Sequence, residues 1–219
     1  MPIITISRGA FSGGKKLAEC LSKKLGYRSL SREVMINAAA EYGISEDRLL
    51  EALEQKPRIE DRIGLELNRF HYLSFVQAAL CEEAKDDNVI YHGNGGHILL
   101  KGVSHVIKVK LVTDLEQRID FAREKLKFTR DEAIAYLYHM DELRGKWTSL
   151  LYSENWDAPS QYDITVNLRT MTLQEACELI ATMTKFPGFQ ATAASKAAMQ
   201  ELFLASSEKQ QLHRVMLRK

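Results

Sequence analysis

Eight consecutive residues, Gly9-Ala10-Phe11-Ser12-Gly13-Gly14-Lys15-Lys16, hold the densest run of glycine and lysine in the chain. They fit the phosphate-cradling pattern G-x-x-x-x-G-K, and depart from it only in the next position, where Lys16 stands in place of Ser or Thr. Gly9, Gly13 and Gly14 let the backbone curl with its amides inward, and a helix beginning near Lys15 turns its positive dipole end to the same anion. Lys15 would bridge the terminal phosphates of a nucleoside triphosphate. The missing hydroxyl bears on metal more than on phosphate, because that side chain normally ligates Mg²⁺. A plain glycine-rich turn is the competing reading, and the flanking elements decide against it.

Residues 2–8 are short, β-branched and apolar, as a strand requires, and residues 15–25 repeat apolar positions every three or four residues before Gly26. Strand, loop and helix therefore surround the motif in the order it needs. Residues 31–84 read as almost wholly helical, with segments near 32–42, 45–54 and 59–84. Strand signals return at 88–92, 105–112 and 162–166, spaced for a parallel sheet. Helices are expected near 115–126, 130–150 and 173–184, each opened by a hydroxyl three residues before a glutamate: Thr113 with Glu116, Thr129 with Glu132, Thr172 with Glu175. After Lys185 the pattern breaks, and residues 186–219 read as an appendage of one or two short helices, or the start of a further region. The domain expected is 1–185.

With 30 Lys and Arg against 29 Asp and Glu in 219 residues, nothing in the near-neutral balance asks for nucleic acid or a membrane surface as a partner. Cys20, Cys81 and Cys177 are odd in number and scattered over helical segments, which suggests reduced thiols and no zinc cluster. A strand follows Met1 directly, without a basic, apolar leader, and no apolar run reaches the ~18 residues of a membrane span. The expected compartment is the cytoplasm. The stripe Phe70, Leu73, Val76 and Leu80 suits either a core helix or a homodimer seam.

Ile4-Thr5-Ile6-Ser7-Arg8, Ser12-Gly13-Gly14-Lys15 with Leu17-Ala18, Asp141-Glu142-Leu143-Arg144, Asn155-Trp156-Asp157, and Tyr162-Asp163 through Asn167 together resemble the cytidylate kinase-like family, over about residues 2–184. The resemblance implies an α/β, three-layer fold of the P-loop nucleoside triphosphate hydrolase type. Its parts would be a central parallel sheet of about five strands, a helical acceptor-binding insertion and a helical lid. The activity implied is transfer of a phosphoryl group from ATP, with Mg²⁺, to a pyrimidine nucleoside monophosphate, nominally CMP or dCMP.

Carried over residue by residue, the resemblance gives Lys15 and the amides of residues 9–16 to the donor phosphates, and Arg118, Arg123 and Arg130 to the lid. Such cations would meet the charge that spreads over the transferring group. Arg32, Gly93, Asn94, Asp141 and Arg144 fall on the acceptor side. As plain sequence, the three arginines also suit solvated helix faces, and Asp141 with Arg144 a surface i, i+3 pair. Two departures stand out: Asn94 replaces an arginine of the family's Gly-Arg-Gly turn, and Ser31 replaces an acidic residue. His92, His97 and His105 lack ligand-spaced partners and read as structural, while Trp147, Trp156, Tyr152 and Tyr162 suit core packing better than base stacking. Two competing functions follow: a catalytically weak nucleotide sensor with a degenerate P-loop, and a P-loop kinase for another small-molecule acceptor.

Overall fold

Ile3, Ile4 and Ile6 are wholly buried in strand β1, Ile3–Arg8, as expected of a strand covered on both faces inside a parallel sheet. The computed structural model describes residues 1–31, 59–93, 95–152, 155 and 157–216. After β1 come α1 (Gly14–Leu25), β2 (Arg28–Ser31), α2 (Ile59–Ala84), β3 (Val89–His92), α3 (Gly96–Leu99) and β4 (Val106–Val112). These are followed by α4 (Leu115–Leu126), α5 (Arg130–Tyr152), β5 (Ile164–Asn167), α6 (Leu173–Met183) and α7 (Ala193–Met216).

The five strands lie parallel in the order β2-β3-β1-β4-β5. Ile4 of the central strand is in register with Ile90 on one side and Ile107 on the other, and Val109 with Ile164. The chain leaves β1 between neighbours reached in opposite directions, at the carboxyl ends of the strands, where open α/β sheets form their ligand crevices. The alternating turn-and-strand signals thus give the expected α/β fold. Strand β2 is a departure from the sequence reading: four residues, two of them exposed, leave too little apolar pattern to detect.

Helices α1 and α6 cover one face of the sheet, where Leu17, Leu21, Cys177 and Ile180 meet Ile4, Ile6, Ile107 and Val109 in a buried cluster. Gly26 ends α1 at φ 70°, its N–H donating to the Ser22 carbonyl. Across the α1–α6 seam Cys20 and Cys177 form a disulfide, with their Cα atoms 6.3 Å apart. The expectation of reduced thiols is corrected for these two: the sheet order brings together helices 157 residues apart in sequence, which spacing does not reveal. Cys81 is a buried free thiol, its pKa pushed up to about 12 by burial.

The chain divides into two compact units, Met1–Leu30 with Asp87–Ala191, and Ser31–Asp86 with Thr192–Lys219. In the second unit α2 packs on α7, and Gln210 Nε2 donates to the Ser74 carbonyl at 3.3 Å. The helical stretch and the tail, kept apart in the sequence reading, thus share one unit, while Pro187–Phe189 belongs to the first. Val76 and Leu80 of the α2 stripe are buried and Phe70 is exposed. The segments expected at 32–42 and 45–54 lie outside the described residues, together with Arg32, Asn94 and Trp156. Among the described residues no helix is long and apolar enough to cross a membrane.

Candidate functional site

The turn between β1 and α1 needs two of its glycines for different reasons. Gly13 sits at φ 80° as the N-cap of α1, a left-handed conformation that strains other side chains. Gly14 has an ordinary backbone, but a Cβ there would run into the side chain of Arg8. Phe11 also adopts a positive φ, 55°, without being glycine. Its strain is offset by packing: with Ala10 it enters a cluster of Ile119, Ala122, Ala133 and Leu137 from α4 and α5, its ring 6.1 Å from that of Tyr136.

Polar side chains from the same two helices fix the first half of the turn. Arg118 donates from Nε to the Ala10 carbonyl at 2.8 Å and from Nη2 to Asp141 Oδ2 at 2.7 Å. The other oxygen of Asp141 accepts from the Ala10 N–H at 3.3 Å. Arg144 donates to the Arg8 carbonyl at 3.3 Å. Thr113, expected to cap α4, instead donates its hydroxyl to the Ser12 carbonyl at 2.9 Å, and Asp114 caps the helix by accepting from the Glu116 N–H. Thr113 is a site residue the sequence reading missed, because a hydroxyl before a helix signals a cap whatever it touches. The other two capping pairs form as expected, Thr129 with Glu132 and Thr172 with Glu175.

The expected arginines therefore part company. Arg118 lies against the turn, only 12% exposed. Arg123 is an exposed neighbour of Asp120 at 3.8 Å, and Arg130 an exposed partner of Glu116, whose carboxyl it holds below the usual range through a hydrogen bond. Asp141 and Arg144 do not form the i, i+3 surface pair their spacing suggests, because each is drawn to the β1–α1 turn.

Lys15 and Lys16 are exposed, and among the described residues neither has a carboxylate partner. The Lys16 ammonium rests 4.7 Å from the centre of the Phe121 ring. Both residues of that contact line an open cleft of about 360 Å³, together with Gly13, Gln117, Arg169 and Leu173. Phe121 and Gln117 were not foreseen, since on sequence they are ordinary positions of an amphipathic helix.

On the other face of the sheet Ser7, next to last in β1, bonds His97 Nδ1 at 2.9 Å, and His97 Nε2 meets Gln161 Oε1 at 3.1 Å. Tyr162 stacks against His97 with ring centres 4.5 Å apart. Burial pushes the Tyr162 hydroxyl up to about 12, against the opposing pull of a hydrogen bond with Ser7. His97 follows the turn that contains Gly93, so this buried polar chain ties the expected acceptor turn to the strand that carries the phosphate loop. His105 pairs with Asp87 at 3.0 Å at the opposite end of the sheet.

A protein-held Mg²⁺ needs oxygen ligands. The loop offers an ammonium at Lys16, which has no lone pair to give. Both oxygens of Asp141 are engaged, Ser31 supplies only a hydroxyl, and among the described residues no three His, Cys, Asp or Glu gather. The described side chains do not fit a metal held by the protein.

The family model of the cytidylate kinase-like family matches residues 3–170. A solved structure of an uncharacterized protein from Eubacterium ventriosum is similar in fold, with a TM-score of 0.63 and 16% identity, covering 84% of this chain and 98% of that one. A shikimate kinase from Bacteroides thetaiotaomicron reaches a TM-score of 0.50 at 10% identity, over 84% of this chain and 99% of that one. No protein of curated function matches this chain in sequence.

Proposed function

Because the chain belongs to the cytidylate kinase-like family, whose model spans residues 3–170, we propose that it transfers a phosphoryl group from ATP to a small acceptor, nominally CMP or dCMP. One observation carries the reading. The turn at the carboxyl end of the central strand combines Gly13 in the left-handed conformation, the amides opening α1 without a side-chain cap, and Lys15, which meets no carboxylate among the described residues. The amides and Lys15 would hold the donor phosphates, and Phe121 with Gln117 would face the nucleoside in the adjoining cleft. Of the three expected lid arginines, Arg118 lies against the turn, where it holds the Ala10 carbonyl and Asp141. Gly93 and Arg144, with Arg32 and Asn94, remain the acceptor side of the proposal.

A second reading, a nucleotide sensor with little turnover, is favoured by Arg123 and Arg130, which spend their charge on Asp120 and Glu116 at the surface. ATP consumption measured against CMP, dCMP, other nucleoside monophosphates and shikimate, beside the Lys15→Ala variant, separates the two. Turnover that falls about 10²–10³-fold in the variant, the usual cost of losing one preorganised donor, supports the kinase. Lys15-dependent ATP binding without turnover on any acceptor gives the sensor, and absence of ATP binding ends both.

A further inference from the structure

Lys16 takes the place of the hydroxyl that would face a metal, and its ammonium is unopposed by any described carboxylate. We propose that this lysine replaces the divalent cation in ligand binding, so that the site takes the metal-free, fully anionic triphosphate at least as well as its Mg²⁺ complex. The inference rests on the phosphate-loop reading above and concerns the charge state of the ligand.

The argument is electrostatic. A metal-free triphosphate carries two more negative charges than its Mg²⁺ complex, and a loop with a single lysine leaves them poorly balanced. Here Lys15 and Lys16 are adjacent in the first turn of α1, both exposed, where unsatisfied amides already favour an anion. The resting contact of Lys16 with Phe121 is a cation–π interaction at a solvent-exposed site, which is weak and easily given up to a phosphate oxygen. Lys16 lines the same cleft as Gly13, so its long, rotatable side chain is anchored beside the loop. Asp141 is already paired with Arg118 and the Ala10 N–H, and among the described residues no cluster of three His, Cys, Asp or Glu gathers to hold a cation.

Titration calorimetry with ATP, in EDTA and again in excess Mg²⁺, tests this on the full chain and on Lys16→Ser and Lys16→Met. The wild type is expected to bind metal-free ATP no more weakly than MgATP. Both variants should lose about tenfold in metal-free affinity and stay within about twofold with Mg²⁺, and metal-free affinity should decline more steeply with salt in the wild type than in either variant. Because Lys16 is exposed, matched melting curves will confirm that the variants fold. ATP binding that requires Mg²⁺ in the wild type, or metal-free affinity unchanged by both substitutions, overturns the proposal and leaves the kinase reading standing. No ATP binding under either condition brings down the phosphate-loop assignment and this inference with it.

Discussion

The two halves of the phosphate loop are held in different ways. Residues 9–12 are gripped from outside: Arg118 and Asp141 hold Ala10, Thr113 holds Ser12, and Phe11 is sunk among the side chains of α4 and α5. Residues 13–16 are shaped by backbone conformation and by the helix they begin, and their two lysines touch no described carboxylate. One half spends its polar groups on holding a shape; the other has the amides and charges that the proposed function assigns to a ligand. If this division is correct, damage to the supports of the first half should appear mainly in stability, and damage to the second half mainly in affinity.

The hardest strain on this division is the disulfide behind α1, which steadies the second half from a distance. Reducing it, or replacing Cys20 and Cys177 by serine, should lower stability by about 2–4 kcal/mol. ATP affinity should change less than about threefold, as melting curves and calorimetry on the same samples will show. A large loss of affinity would mean that the second half depends on remote support as much as the first.

Arg118→Ala comes next. It removes two hydrogen bonds and leaves the half-exposed Asp141 without its cation, for an expected loss of about 1–2 kcal/mol in chemical denaturation. Thr113→Val, which keeps shape and removes only the bond to Ser12, should cost about 1 kcal/mol. If a double-mutant cycle of Arg118→Ala with Asp141→Asn shows no coupling, Arg118 and Asp141 hold Ala10 independently and not as a pair.

The smallest effect concerns the rim of the cleft, where Thr172 and Glu175 cap α6 reciprocally. Those bonds hold the Glu175 carboxyl below its ordinary 4.5. A carboxyl with a lowered folded-state pKa stabilises fully above its unfolded value and loses that contribution as pH falls through the folded one. Stability of the wild type should therefore drop more steeply than that of Glu175→Gln as pH falls below about 4.5. Parallel acid titrations followed by circular dichroism will compare the slopes.

Local signals carried the sequence reading far. The apolar strand, the glycine turn and the stripe of α1 mark one another within 24 residues, and the caps at Thr129 and Thr172 use partners three residues away. What escaped was long-range or too short to show a period. Asp141 meets Arg118 across two helices, Cys20 meets Cys177 across the whole fold, and β2 and α3 are four residues each. Thr113 escaped for a subtler reason, since a threonine that caps a helix and one that holds a loop carbonyl look alike until Asp114 is seen to take the cap.

The anchoring of Phe11 has a consequence for kinetics. Its ring stands 6.1 Å from Tyr136, which in turn stands 5.6 Å from Phe128, so aromatic packing holds the turn in its shape without help from a ligand's own contacts. Ligands that meet a ready-made turn need not wait for the backbone to rearrange, and their association rates converge on what diffusion and charge allow. Discrimination between a good ligand and a poor one is then a matter of residence time, written almost entirely in how slowly each departs.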